Sequence, residues 1–375
     1  MKLNIGLVGA RRGRSLAEGL RAVPDCEITA ICDLAPDRLG QVADELEVKH
    51  RYQDYERMLD SGVVNAVVVA TPQNLHTPQA VAALRRGFHV LSEVPAATDL
   101  LQCCQLVDAV RTSKAVYMLS ENATYDTCNV IVRRMAEAGV FGDLYFAEGE
   151  YTHDLKALSE ATPWRRRWQT GRNGVTYPTH QLGPVMQWMK QRITSVCCLG
   201  SGHHYRDPRG NSYEQEDCIL MLCKTERDGL IKIRQDIIST RPHITTAYSL
   251  QGTEGCYESA RSAGETPKVW IRGKAKDAVT WQPLTELAEE FLPDERKNPP
   301  AEATRAGHGG NDYWVARDFA RAIMAGRQPE MDVYFALEIT VPGLVSEQSI
   351  ALNGAPVPVP DFRKYETGSN TIPVA

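Results

Sequence analysis

Leu3-Asn4-Ile5-Gly6-Leu7-Val8-Gly9-Ala10-Arg11-Arg12-Gly13-Arg14 is the stretch that decides the fold. Leu3 to Val8 reads as a short strand without a polar face, and from Arg14 to Val23 the apolar residues recur at helical spacing. Between them lies a turn bearing glycine. Such a turn lets an anionic group lie against bare backbone N–H groups at the start of the helix, as a dinucleotide pyrophosphate requires. Aligned on Gly9, a G-x-G-x-x-G pattern puts Arg11 and Arg14 where the second and third glycines belong, and Gly13 is out of phase. The turn alone therefore also reads as a plain strand-to-helix connection.

Working outward, the same alternation continues. Strands are expected at Glu27 to Cys32, Asn65 to Ala70, His89 to Ser92 and Ala115 to Leu119, with helices at Ala35 to Leu46, Thr77 to Arg86 and Leu100 to Thr112. Strands apolar on both faces, joined by helix-length crossovers, describe the doubly wound parallel sheet of a Rossmann domain. After Glu121 the pattern changes to one amphipathic helix, Tyr125 to Ala138, followed by strand-like stretches at Leu144 to His153, Ile193 to Gly200, Cys218 to Cys223, Leu230 to Ile238 and Ala247 to Gly252. These fit an open, mostly antiparallel sheet with helices on one face. The fold class is α/β: an N-terminal Rossmann domain over residues 1–121 and a C-terminal α+β domain over 122–375. From about Thr266 to Gly310 an extended surface connection is expected. Two helices, Tyr313 to Met324 and Val333 to Leu352, close the chain and can pack back on the first domain.

Composition narrows the partners. Of 375 residues, 42 are Lys or Arg and 47 are Asp or Glu, a formal charge of −5 that offers no footprint for nucleic acid or an anionic membrane. The ten cysteines show no C-x-x-C or zinc spacing and are expected as reduced, mostly buried thiols, with no metal site. No run of about 18 apolar residues occurs. A cytoplasmic enzyme acting on a small molecule is expected, as a homo-oligomer formed through the C-terminal sheet.

Asp33 follows the second long strand by one residue, about twenty residues past the turn, where a carboxylate accepts the ribose hydroxyls of NAD and repels a 2′-phosphate. NAD is thus the expected cofactor over NADP, while Arg11, Arg12 and Arg38 nearby leave room for a 2′-phosphate. Thr71-Pro72-Gln73-Asn74-Leu75-His76 and Glu93-Val94-Pro95 also follow strands directly. These two segments resemble the T-P-x-x-x-H and E-K-P segments of the glucose-fructose oxidoreductase and inositol dehydrogenase (Gfo/Idh/MocA) family, with Val94 in place of the family lysine. The cofactor set is then Gly9, Arg11, Arg12, Gly13, Asp33, Thr71, Pro72, Asn74, His76, Glu93 and Asn122.

A branch of that family, the NAD-dependent glycosidases of glycoside hydrolase family 109, is more similar still. It shows E-V-P-A-A, matched here by Glu93 to Ala97, and segments like Met118-Leu119-Ser120-Glu121-Asn122 and Tyr151-Thr152-His153-Asp154-Leu155. Tyr177-Pro178-Thr179-His180-Gln181-Leu182-Gly183-Pro184 is the most specific block. Gly310-Asn311-Asp312-Tyr313, Asp332-Val333-Tyr334 and Ser346-Glu347-Gln348-Ser349 complete the likeness.

The resemblance implies a sugar or glycoside substrate. Oxidising a carbinol needs a base for the hydroxyl proton, and His180 suits that task near neutral pH. The D-x-x-x-H carboxylate of ordinary relatives is replaced by Thr176. Tyr151 and Tyr177 are the further catalytic candidates; Tyr151 is expected to take a proton α to a ketone, although a strand tyrosine equally serves packing. Glu121, Asn122, His153, Trp164 and Arg165 are the substrate-binding candidates, with Glu121 and Asn122 also readable as a helix-capping pair. Three functions remain open: a glycosidase working by transient oxidation at C3, elimination and hydration; a plain NAD-dependent sugar or cyclitol dehydrogenase; and an inactive dinucleotide-binding sensor.

Overall fold

The computed structural model describes residues 2–369 and 371–373 and divides into two compact units. One comprises the described residues of Met1–Tyr125, Pro299–Leu337 and Phe362–Pro373; the other comprises Asp126–Asn298 and Glu338–Asp361.

The first unit runs β1 (Leu3–Val8), α1 (Ala10–Arg21), β2 (Cys26–Cys32), α2 (Pro36–Glu45), β3 (His50–Tyr52), α3 (Tyr55–Leu59), β4 (Ala66–Val69), α4 (His76–Arg85), β5 (His89–Ser92), α5 (Leu100–Thr112) and β6 (Tyr117–Leu119). The strands pair in parallel in the order β3-β2-β1-β4-β5-β6. This is the Rossmann order, and the winding reverses between β1 and β4, so the first and fourth strand ends lie side by side. All four residues of β4 are buried, as a strand covered on both faces demands. β3 escaped the sequence reading because it has three residues and stands at the sheet edge with its side chains partly in solvent. In the same unit, helix Asn311–Met324 packs on α1, and the Leu119 N–H donates to the Met331 carbonyl at 2.9 Å.

The second unit runs α6 (Thr127–Glu137), β7 (Leu144–Thr152), α7 (Lys156–Ala161), α8 (Pro163–Trp168), α9 (Thr179–Met189), β8 (Ile193–Gly200), β9 (Ile219–Thr225), β10 (Leu230–Asp236), β11 (Ile244–Gly252), β12 (Gly255–Glu258), β13 (Lys268–Ile271), β14 (Gln282–Pro283) and β15 (Val357–Pro358). Its sheet has the order β14-β13-β12-β11-β7-β10-β9-β8-β15, antiparallel throughout except for β7 against β10. Along β9 burial alternates strictly: Ile219, Met221 and Cys223 are inside, Leu220, Leu222 and Lys224 outside. α9, buried along its whole length, covers the inner face. Gly149 of β7 permits this, since a Cβ there would lie 2.5 Å from the Gln181 carbonyl oxygen.

Two expectations are corrected. The stretch from Thr266 to Gly310 is more than a connection, because it adds β13 and β14 to the sheet. Val333 to Leu352 is two helices, Val333–Glu338 and Val341–Ala351, since Pro342 has no N–H to continue a helix and fits only a first turn. Among the described residues no helix is long and apolar enough to cross a membrane, and the ten cysteines are free thiols.

Candidate functional site

In the first unit the candidate residues gather at the carboxyl ends of the parallel strands. Gly9 follows β1 with φ 93°, and a Cβ on it would stand 2.5 Å from the Ala70 carbonyl oxygen, just beyond β4. Only glycine takes that conformation in that space. α1 starts there with no acidic residue in its first turn, so its partial positive end is unopposed from within the helix. Gly13 is buried, and a Cβ there would touch Leu7 of β1 at 3.5 Å; its lack of a side chain serves helix-to-strand packing although it is out of phase with the usual motif. Asp33 follows β2. Its Oδ2 accepts from the Ala10 N–H at 2.8 Å and its Oδ1 from the Ala35 N–H at 2.8 Å, with the Arg38 guanidinium at 3.4 Å. The carboxylate thus fixes the turn as well as lying at its rim.

His76 is fully enclosed, its Nδ1 2.9 Å from the Pro95 carbonyl and its Nε2 2.9 Å from the Thr71 carbonyl. Burial pushes this imidazole down, which keeps it neutral. With Thr77, whose hydroxyl donates to the Ala96 carbonyl at 2.8 Å, it clasps the loop after β4 to the loop after β5. The His76 ring is committed to the Pro95 and Thr71 carbonyls, so what it sets is the shape of the loops. Thr71 donates its hydroxyl to Gln79 at 2.6 Å, while Pro72 and Asn74 are half-buried on the same loop. The two arginines diverge. Arg11 is exposed, whereas Arg12 is drawn into ion pairs with Glu93 (Nε to Oε1, 2.7 Å) and Asp312 (Nη1 to Oδ2, 3.0 Å). Asn122, after β6, donates to Asp312 Oδ1 at 3.4 Å, and Glu121 is buried with its Oε1 accepting from the Ala123 N–H at 3.0 Å.

The second unit gathers its candidates from three segments. Tyr151 points inward near the end of β7, in the set Ala147, Gly149, Tyr151. Its ring lies 5.5 Å from that of Tyr177, 5.5 Å from that of His180 and 5.9 Å from that of His153, centroid to centroid. Tyr177 and His180 meet edge to face at 5.0 Å. Their segment is pinned from several sides. The Tyr177 N–H donates to Gln235 Oε1 of β10 at 2.9 Å, the Val175 N–H donates to the Ser346 hydroxyl at 2.8 Å, and Tyr248 of β11 donates its hydroxyl to the His180 carbonyl at 2.7 Å. Trp164 and Arg165 occupy α8, the guanidinium stacked 4.2 Å over the indole. His153 meets His243 edge to face at 4.2 Å. Burial first, then the nearby His243 and Arg165, bring the His153 imidazole down to about 4, so it is neutral at ordinary pH.

Residues 3–121 match the family model described as the oxidoreductase family, NAD-binding Rossmann fold, and residues 125–367 match that of the glycosyl hydrolase 109 C-terminal domain. The chain belongs to glycosyl hydrolase family 109. A family 109 protein of Saccharopolyspora erythraea is 32% identical over 96% of this chain and 83% of its own length, and one of Streptomyces filamentosus is 32% identical over 97% and 78%. In fold, the chain is similar to levoglucosan dehydrogenase in complex with NADH, with TM-score 0.84 and 19% identity over 96% of this chain and 100% of that one.

The first unit of this family 109 chain is an NAD-binding Rossmann fold, and its residues fit the dinucleotide: bare backbone at Gly9, a helix start without acidic residues, and the Asp33 carboxylate at the rim. Val94, at the E-K-P lysine position, is buried and brings no proton-carrying group. Thr176, four residues before His180, spends its hydroxyl on the Gln169 carbonyl and Gln235, both at 3.3 Å.

Sequence reasoning missed Gln235, His243 and any role for Asp312. Gln235 did leave a signal, as the polar member of the inward series Ile231, Ile233, Gln235. His243, isolated in an exposed loop just before β11, left none.

Proposed function

We propose that this protein is a glycosidase that works by transient oxidation of its substrate sugar, with His180 and Tyr151 carrying its proton transfers and Tyr177 orienting the substrate beside them. The observation that supports this most is the Tyr151-centred cluster, which supplies phenol and imidazole groups in a chain whose lysine and histidine-partnering carboxylate positions hold Val94 and Thr176. NAD, when bound, supplies the acceptor for a carbinol hydride and its return. Gly9, Asp33, Thr71, Pro72, Asn74, Glu93 and Asn122 hold it through backbone, loop and carboxylate contacts, with Arg11, Arg12, Gly13 and His76 shaping or charging that rim.

His180 takes the proton of the sugar's C3 hydroxyl. A C3 ketone acidifies the C2–H bond, and Tyr151 serves as the base that removes that proton while the C1 substituent leaves with its bonding electrons and takes up a proton to depart as the neutral aglycone. Water then adds, its oxygen to C1 and a proton back to C2. Tyr177 orients the hydroxyls beside His180, while Glu121, His153, Trp164 and Arg165 bind the sugar. The neutral His153 is suited to hydrogen bonding without charge. We propose further that two copies associate through the outer sheet face, where Leu199 of β8 lies opposite Leu220 of β9 and both are exposed.

Reaction in heavy water tests the mechanism. Deuterium at C2 of the product sugar, with aglycone released and no net NADH, is expected. Product without deuterium at C2, or stoichiometric NADH, removes the elimination step and leaves a sugar or cyclitol dehydrogenase.

A further inference from the structure

The Rossmann unit contains an ion cluster that joins Arg12 and Glu93 of the proposed cofactor rim to Asp312, a residue to which the proposed function gives no part. Arg12, in the first turn of α1, meets Glu93 beyond β5 through Nε at 2.7 Å and grips Asp312 of helix Asn311–Met324 with both terminal nitrogens, at 3.0 and 3.2 Å. The Asp312 side chain is wholly buried and also receives Asn122 Nδ2 at 3.4 Å and His308 Nδ1 at 3.1 Å. Burial opposes its charge, but the His308 hydrogen bond and the Arg12 charge prevail and hold the carboxyl down to about 2. Two carboxylates thus share one guanidinium, so the Arg12–Glu93–Asp312 set itself carries one net negative charge. It lies at the ends of β5 and β6 and the start of α1, the rim where open α/β sheets bind a dinucleotide.

Oxidised and reduced NAD differ in charge at one place, the nicotinamide ring, which is cationic in NAD⁺ and neutral in NADH. A fixed net charge at the rim acts on that difference, and more strongly where protein displaces water. We infer that the Arg12–Glu93–Asp312 cluster biases this site toward the oxidised cofactor, with Asp312 as the positioning residue that supplies the unbalanced charge through its grip on Arg12. The inference rests on the cofactor placement proposed above. It gives the Gly310-Asn311-Asp312-Tyr313 block a role: its carboxylate keeps the resting enzyme loaded with the form that begins a redox-neutral cycle.

The test is the ratio of NAD⁺ to NADH affinities of the full chain at pH 8.5, above the ordinary imidazole range, read by NADH fluorescence in competition with NAD⁺. Asp312→Asn removes the unbalanced charge and should shift the ratio toward NADH about tenfold, equivalent to about 1.4 kcal/mol. His308→Arg adds a permanent positive charge at a half-exposed position, leaves the buried groups in place, and should shift it the same way by about threefold, less because of solvent screening. His308→Gln should leave it unmoved. A brace with no electrostatic role would weaken both cofactor forms together, so an unchanged ratio in Asp312→Asn and His308→Arg overturns the inference. If Asp312→Asn does not fold, His308→Arg decides. Failure of the unaltered chain to bind either form would instead count against the cofactor placement.

Discussion

The two units handle their chemistry with different materials. In the Rossmann unit the candidate groups are backbone and short loops at strand ends, placed by the order of the strands: Gly9 after β1, Asp33 after β2, Ala70 after β4 and Glu93 after β5. In the sheet unit they are side chains, Tyr151, Tyr177, His180, His153 and His243, brought together from separate segments and held by residues such as Gln235 and Ser346. Groups on strand ends are placed by strand order rather than by each motif residue, and the glycine turn here holds Arg11 and Arg14 at two glycine positions. A site built on side chains depends on each member.

That contrast predicts the largest effect in the second unit. His180→Ala should lower kcat about 10³-fold, within the range of general-base loss, while NAD affinity measured by calorimetry stays within about twofold. A matching loss of NAD binding would erase the division of labour.

Gly9→Val comes next. It forces a β-branched residue to φ 93° against the Ala70 carbonyl, a cost of about 2–4 kcal/mol from the left-handed backbone and overpacking combined. NAD affinity should fall more than about tenfold with a lower melting temperature, the free energy being equivalent to at least one decade. Unaltered binding and melting would mean that bare backbone at Gly9 is dispensable.

Asp33→Ala should narrow the preference for NAD over NADP by about tenfold, as expected for loss of a carboxylate that repels a 2′-phosphate. Because Asp33 also fixes the Ala10 and Ala35 N–H groups, NAD binding should weaken too. A fall in both affinities with the ratio unchanged would make Asp33 a brace for the turn alone.

The smallest effect is a pH dependence. His153 is depressed to about 4 in the folded chain against about 6.5 when unfolded. Below about pH 6.5 the unfolded chain binds a proton that the folded chain refuses, so stability falls as pH drops toward 4 and is untouched above 6.5. Urea denaturation at pH 5 and pH 8 should show His153→Gln losing less stability on acidification than the unaltered chain. Equal losses would mean that His153 does not sense its neighbours.

The parallel sheet was legible because strands covered on both faces are apolar throughout, and the expected Leu3–Val8, His89–Ser92 and Leu100–Thr112 match the structure residue for residue. β3, β12, β13 and β14 were not, being two to four residues long and too short to establish a period. Tyr177 and His180 were legible as one compact block, and Tyr151 and His153 as neighbours at a strand end. That they form one cluster was not, since it depends on Gly149 letting α9 settle onto β7 and on Gln235 holding the Tyr177 N–H.

The sequence by itself determined the strand-helix alternation of the Rossmann unit, the glycine turn after its first strand and the compact Tyr177 to His180 block, because periodicity and local spacing are properties of neighbours along the chain. Tertiary structure alone decided the partner of Arg12, 300 residues away in Asp312, and the seating of His243 against His153 across 90 residues. Contacts that join distant segments are fixed by how helices and strands pack, and no local pattern records them.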